Sequence, residues 1–130
     1  MILVDTNVLI RIDDVLLSGE QIVLSALTYG ELQFGIARTS DAIVRRRRRT
    51  ELARMTAMFP QGWMPFDRSA AESFGRLAGL VAQTRPAHAR SKDIMLAGQA
   101  HALGARLMTF NAKDFDLVSD HVEIVVPTLR

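Results

Sequence analysis

Four acidic residues are notable for where they fall in the chain: Asp5, Glu31, Asp93 and Asp114. Asp5 follows directly on Ile2-Leu3-Val4, an uninterrupted apolar run that suits a strand buried on both faces, so it occupies that strand's carboxyl end. Glu31 lies within Leu27–Gly35, and counting by three and four puts it on one helical face with Leu27, Phe34 and Gly35. A carboxylate on so apolar a face is costly unless it is paired or bound to a cation. Asp93 falls in the first turn of a helix, where an acid complements the helix dipole. Asp114, with Asp116 as its alternative, follows a strand ending at Thr109-Phe110, and Thr109 and Asn111 add neutral hydrogen-bonding groups at that strand end.

Each acid also has a plainer use. Asp5 could cap the helix that follows, although Thr6 would cap equally well and leave Asp5 for other work. Glu31 could pair with Arg38, and loop acids such as Asp114 are usually solvated. Taken together, three acids at strand ends or helix starts and a fourth from a helix fall on what should be one edge of a sheet. Carboxylates crowded into one pocket raise one another's pKa, and a hard divalent cation with oxygen ligands resolves that conflict. Mg²⁺ or Mn²⁺ fits best, because the chain has no cysteine and none of its three histidines has ligand spacing. His88 and His101 have no evident partner for acid–base work. A divalent cation held by such acids can activate water for in-line attack on a phosphodiester.

The elements that must position these residues alternate. Ile2–Val4 is followed by a helical stretch from Val8 to Leu17, then by the strand Ile22–Leu24. Ser25 can cap a helix to about Arg38, and Thr39-Ser40-Asp41 breaks it and can cap the next, roughly Ala42 to Met58. Trp63–Phe66 is a weak strand, Asp67 or Arg68 opens a helix to Gln83, and Thr84 to Ser91, with Pro86, forms a loop. Ser91 caps a helix that Gly104 ends, and Arg106–Phe110 and Val122–Val126 are the last strands. Strands alternating with helices predict an α/β sandwich with a mainly parallel sheet, whose ligands sit outside the carboxyl ends of the strands.

With 130 residues, 48% hydrophobic and 23% charged, the chain is expected to form one globular domain, residues 1–130. No basic-then-apolar segment opens it, and no apolar run approaches the roughly 20 residues that span a bilayer, so no membrane association and a cytoplasmic location are expected. The net charge of +2 conceals an asymmetry. Five of the 16 basic residues form the run Arg45, Arg46, Arg47, Arg48 and Arg49, and without it the chain, with 14 acidic groups, is net negative. Consecutive residues advance about 100° around a helix, so five arginines cannot share one solvated stripe. They can snorkel outward, contact RNA phosphates or meet an acidic partner. Trp63 and Tyr29 are isolated aromatics, better suited to core or interface than to stacking on bases.

The opening Ile2-Leu3-Val4-Asp5-Thr6-Asn7, the segment Ser25–Ile36 around Glu31, Asp93–Gly98 and Thr109–Phe115 resemble, in order, the four motifs of PIN-domain nucleases. Among these the chain is similar to the small VapC-type toxins of bacterial toxin–antitoxin systems. The resemblance implies a three-layer sandwich around a mainly parallel sheet of four to five strands, and a Mg²⁺-dependent endoribonuclease. It also implies a homodimer held inactive by a cognate antitoxin. Asp5, Glu31 and Asp93 match the family's metal-binding acids and Asp114 its variable fourth acid, while Thr6, Asn7, Thr109 and Asn111 match its supporting polar positions. The chain has Asn111 where some members carry an acid, which leaves that role to Asp114. Two rivals are a phosphatase with an aspartyl nucleophile, which would want an acid where Asn7 stands, and a non-catalytic RNA- or protein-binding module of the same fold.

Overall fold

The computed structural model describes residues 1–85 and 91–130; the expected loop around Pro86 and His88 lies largely outside them. The chain begins with β1 (Ile2–Val4), α1 (Thr6–Ile10) and a 3₁₀ turn (Ile12–Asp14). It continues with β2 (Ile22–Ser25), α2 (Ala26–Ala37), α3 (Ala42–Met58) and β3 (Trp63–Met64). The second half holds α4 (Arg68–Thr84), α5 (Ser91–Leu103), β4 (Arg106–Met108), a second 3₁₀ segment (Ala112–Val118) and β5 (Ile124–Val125). The five strands are all parallel, in the order β3-β2-β1-β4-β5.

The apolar runs explain the centre of this sheet. β1 is buried along its whole length, and Ile2 pairs with Ile22 on one side and with Arg106 on the other. Alternate residues face opposite layers. Leu3, Val23 and Leu107 point into a core completed by Leu77 and Val81 of α4, Ile94 and Ala97 of α5, and Phe115. Ile2, Val4, Leu24 and Met108 point into a second core with Val8 and Leu9 of α1, Ile12, Val15, Met55 of α3 and Phe59. The result is the expected three-layer α/β sandwich, with helices on both faces of a parallel sheet.

Helix boundaries follow local chemistry where capping residues are present. Ser25 Oγ accepts from Leu27 N at 3.0 Å, Asp41 from Ile43 N at 2.9 Å and Asp67 from Ala70 N at 2.9 Å. α5 stops at Gly104 (φ 66°), where Gly104 N bonds His101 O and Ala105 N bonds Ala100 O, a Schellman arrangement that an L side chain would disfavour. Ser91, expected as the cap of α5, is instead its first residue. The expected helix from Val8 to Leu17 does not form as one piece. α1 ends at Ile10, and the chain passes through the 3₁₀ turn into an antiparallel bridge between Val15 and Leu129. Leu16 N donates to Thr128 O and Arg130 N to Asp14 O, so pairing with the C-terminal segment displaces helical continuation. Two acids, Asp13 and Asp14, would also have opposed a helix dipole there.

Tyr29 and Trp63 are not isolated. Their rings meet edge to face at 5.0 Å between centroids, and Trp63 Nε1 donates to Thr56 Oγ1 at 3.1 Å, joining α2, β3 and α3. Arg54 of α3 bridges Glu51 and Asp13, and these hydrogen bonds, Glu51's first, hold its guanidinium above the usual arginine range. Among the described residues no helix is long and apolar enough to cross a membrane.

α4 and α5 pack so closely that a Cβ on Gly98 would stand 2.7 Å from both the backbone N and the Cα of Phe74. Gly98→Ala is therefore expected to destabilise the protein by about 1–3 kcal/mol, because backbone cannot give way as a side-chain tip can. Gly79, exposed on α4 with nothing within 4 Å of its virtual Cβ, should do the opposite. Gly79→Ala should gain about 0.5–1 kcal/mol from helix propensity. Urea melts of the two variants check both signs.

Candidate active site

From β1 the chain winds outward through β2 to β3 on one side of the sheet, then returns to build β4 and β5 on the other. The order reverses between β1 and β4, the position where open parallel sheets bind ligands. Asp5 leaves the end of β1 with its backbone N donating to Met108 O of β4 at 2.9 Å. Its carboxylate is shared between local and distant partners. Oδ1 accepts from Thr6 N at 2.7 Å, while Oδ2 accepts from Thr109 Oγ1 at 2.9 Å and Asn7 Nδ2 at 3.4 Å. Asp5 thus caps α1 and still presents a half-buried carboxylate beside Asn7.

Thr109, fully buried, sits behind Asp5 and receives Asn111 N at 3.0 Å and Asn7 Nδ2 at 3.3 Å on its hydroxyl oxygen. Asn7 Oδ1 accepts from Phe110 N at 3.2 Å. The four polar positions expected to support the site divide accordingly: Asn7 and Thr109 lock β1 to β4, Asn111 is tied through its backbone, and Thr6 reaches sideways. Thr6 Oγ1 bonds the buried Thr28 Oγ1 at 3.3 Å, which pins α1 to α2. Glu31 stands one turn beyond Thr28 on α2, on the same face.

A cleft of about 290 Å³ opens over these strand ends. Asp5, Glu31, Asp93 and Asp114 all line it, with Thr6, Asn7, Asn111 and Lys92 beside them and Ile10, Leu27 and Leu96 as its apolar wall. Asp93 arrives on the first turn of α5 and Asp114 on the first turn of the second 3₁₀ segment. Asp116 lines a neighbouring depression and is exposed, so Asp114 is the acid of that pair that reaches the cleft. Glu31 does not pair with Arg38, whose guanidinium lies 5.7 Å from the Phe34 ring centre. Its Oε2 meets Lys92 Nζ at 3.0 Å.

The donors facing the cleft are carboxylate, amide and hydroxyl oxygens, the set a hard cation such as Mg²⁺ or Mn²⁺ prefers. Among the described residues no three carboxylate or imidazole groups stand together tightly enough to enclose an ion, and Glu31 is turned to Lys92 instead. The donor set lining the cleft is thus of the chemical kind that a divalent cation accepts.

Three residues that position or neutralise this cleft escape sequence reasoning. Lys92 adjoins Asp93, but its reach to Glu31 depends on how α5 lies against α2. Thr28 lies three positions before Glu31, a helical-face signal that could have marked it. Gln99 is a polar residue in the apolar stretch of α5; it is buried, accepts from Ser25 Oγ, and donates to Met64 O at 3.0 Å and Pro65 O at 3.1 Å. His101 stands away from the cleft, its Nδ1 3.2 Å from Ser73 Oγ, and His88 lies outside the described residues.

The run Arg45–Arg49 lies in α3 and is split in its use. Arg48 Nη1 donates to Gly35 O at 2.6 Å and Arg45 Nη2 to Ser40 O at 3.3 Å, both satisfying carbonyls around the end of α2. Arg46, Arg47 and Arg49 are exposed.

The sequence profile of the PIN domain matches residues 2–120, so the chain belongs to the PIN-domain family. Similar solved structures include the FitAcB complex from Neisseria gonorrhoeae, 23% identical with a TM-score of 0.77 over 96% of each chain. VapBC2 from Rickettsia felis, bound to a DNA fragment from its promoter, is 18% identical with a TM-score of 0.79, covering 98% of this chain and 100% of that one. VapBC-5 from Mycobacterium tuberculosis, of a family of toxin–antitoxin systems, is 18% identical with a TM-score of 0.69, over 95% and 94%. No curated protein matches the chain.

Replacing Thr109 by Val keeps the shape and removes the hydroxyl on which Asp5, Asn7 and Asn111 N converge. Leaving those groups short of a partner in a closed site should cost about 1–3 kcal/mol. Thr109→Ser should stay close to wild type. Thermal melts of the two variants measured side by side check the difference.

Proposed function

We propose that the protein is a Mg²⁺- or Mn²⁺-dependent endoribonuclease, residues 1–130 forming one nuclease domain that acts in the cytoplasm as the toxin of a toxin–antitoxin pair. The observation that carries this reading is the single cleft lined by Asp5, Glu31, Asp93 and Asp114, brought there by four separate segments at the sheet's switch point. Membership of the PIN-domain family and the likeness in fold to proteins of toxin–antitoxin systems support the same reading.

In this proposal the four carboxylates hold the cation, which when bound lowers the pKa of a water and offsets charge on the leaving oxygen. The chain's own part is preorganisation. Thr109 and Asn7 fix the rotamer of Asp5, so its carboxylate need not be ordered when substrate arrives. The Thr6–Thr28 contact ties α1 to α2 one turn before Glu31. Asp114 is presented by a turn whose Asp114 N donates to Asn111 O at 3.0 Å, and Ile10, Leu27 and Leu96 limit water on the apolar side.

Purified protein is expected to cleave RNA with Mg²⁺ or Mn²⁺, to stop in EDTA, and to lose cleavage by at least about a hundredfold on Asp93→Asn, which keeps the shape and removes a charge. Cleavage undiminished in excess chelator would show the metal reading to be wrong, and turnover of small phosphomonoesters in its place would favour the phosphatase.

Arg46, Arg47 and Arg49 are proposed to meet RNA phosphates or an acidic stretch of the antitoxin, Arg45 and Arg48 being engaged with the backbone; the active form is proposed to be a homodimer. Exchanging Arg46, Arg47 and Arg49 together for Gln should leave the fold intact and flatten the salt dependence of RNA binding, by about 0.7 in log–log slope for each phosphate that an arginine had neutralised. Affinities unchanged at both low and high salt would return the run to a solvated surface.

A further inference from the structure

Lys92 is the one cationic side chain lining the carboxylate cleft among the described residues. It reaches from the first turn of α5 to Glu31 of α2, with Nζ 3.0 Å from Oε2. The two partners are unequally placed. The lysine side chain is 67% exposed and the glutamate 29%, so the carboxylate is the seated member and the ammonium the solvated one. A pair of this kind is weak and salt-screened. The lysine is also a point charge on a flexible four-carbon stem, able to swing without moving the helix that carries it. Among the described residues its charge pairs with Glu31 at the edge of a cleft that Asp5, Asp93 and Asp114 also line.

We propose that Lys92 is a positioning residue with two stations: it holds Glu31 while the cleft has no cation, and passes to an RNA phosphate once a divalent cation takes Glu31. The proposal rests on the metal-dependent ribonuclease reading. Its physical basis is competition. Lys92 and the incoming cation want the same carboxylate, and once the doubly charged ion is seated on Glu31 it takes the oxygen that the ammonium held and repels the ammonium itself. A polyanionic strand entering the cleft then offers the displaced ammonium a phosphate to pair with. Lys92 therefore lowers affinity for the cation alone and raises affinity for the substrate that accompanies it.

The test is calorimetric titration of Mn²⁺ into wild type, Lys92→Met and Lys92→Arg without RNA. It is followed by anisotropy of a fluorescein-labelled single-stranded oligoribonucleotide, with Ca²⁺ replacing Mg²⁺ and salt varied. Lys92→Met should bind Mn²⁺ about three- to tenfold more tightly than wild type, since it lacks both the competing pair and the like charge. Lys92→Arg, which keeps the charge, should stay near wild type. For RNA the order reverses: Lys92→Met should bind more weakly, with a salt slope smaller by about 0.7, the value for one phosphate no longer neutralised. Equal Mn²⁺ affinity in wild type and Lys92→Met overturns the hold on Glu31, and an unchanged RNA affinity and salt slope overturns the second station. Absence of Mn²⁺ binding by folded wild type overturns the metal reading itself and this inference with it, an outcome distinct from the other two. If Lys92→Met fails to fold, Lys92→Gln, uncharged but polar, carries the same expectations.

Discussion

The hydrogen bond from Thr109 Oγ1 to Asp5 Oδ2, 2.9 Å long, joins residues 104 positions apart at the ends of two neighbouring parallel strands. Neither partner could be placed as it is without the other. Thr109 is fully buried, and a buried hydroxyl needs partners; Asp5 carries a charge at the edge of an apolar sheet, and that charge needs donors. Asn7 closes the arrangement by bonding both side chains and Phe110 N. The strand ends are thereby locked in register just where the sheet order reverses, and the other three acids are arranged around that fixed point.

Those acids depend on longer-range packing. Glu31 is held in place because α2 is pinned at both ends of its first turns. Ser25, which caps the helix, is bonded by Gln99 of α5, and Thr28 by Thr6 of α1. Gln99 also satisfies the carbonyls of Met64 and Pro65, so α5, β3 and the start of α2 are joined through one side chain. Asp93 rides at the opening of α5, whose position against α4 is set by the absence of a Cβ at Gly98. The acids are thus mounted on secondary-structure elements or at their ends, and Ser25, Thr28, Gln99 and Thr109, which support those elements, are buried. Among the described residues no buried side-chain polar atom lacks a partner.

The arginine run shows how one compositional feature divides once a helix is built. Residues three apart lie on neighbouring parts of one face. Arg45 and Arg48, so spaced, bond carbonyls around the end of α2, Arg48 remaining exposed, while Arg46, Arg47 and Arg49 extend into solvent. All five keep their charge near the surface, but Arg45 and Arg48 are also engaged in joining α2 to α3.

Much of this was legible from the chain alone, for reasons that are local. Short fully apolar runs such as Ile2–Val4 suit strands buried on both faces, and alternation with helices favours a parallel sheet; Ser25, Asp41, Asp67 and Gly104 mark helix ends by their own hydrogen bonds and backbone freedom. The acids could be singled out because they fall after strand ends, at a helix start or on an apolar helix face. The chain alone could not reveal that α1 would stop at Ile10, because that depends on a bridge from Val15 to Leu129 more than a hundred residues away. Nor could it pair Tyr29 with Trp63, send Gln99 to Ser25, or turn Glu31 toward Lys92 in preference to Arg38. Periodicity and capping act within a few residues and can be read from sequence. Which polar side chain meets which is decided only when separate helices are packed against the sheet, since it depends on their relative position and not on spacing along the chain.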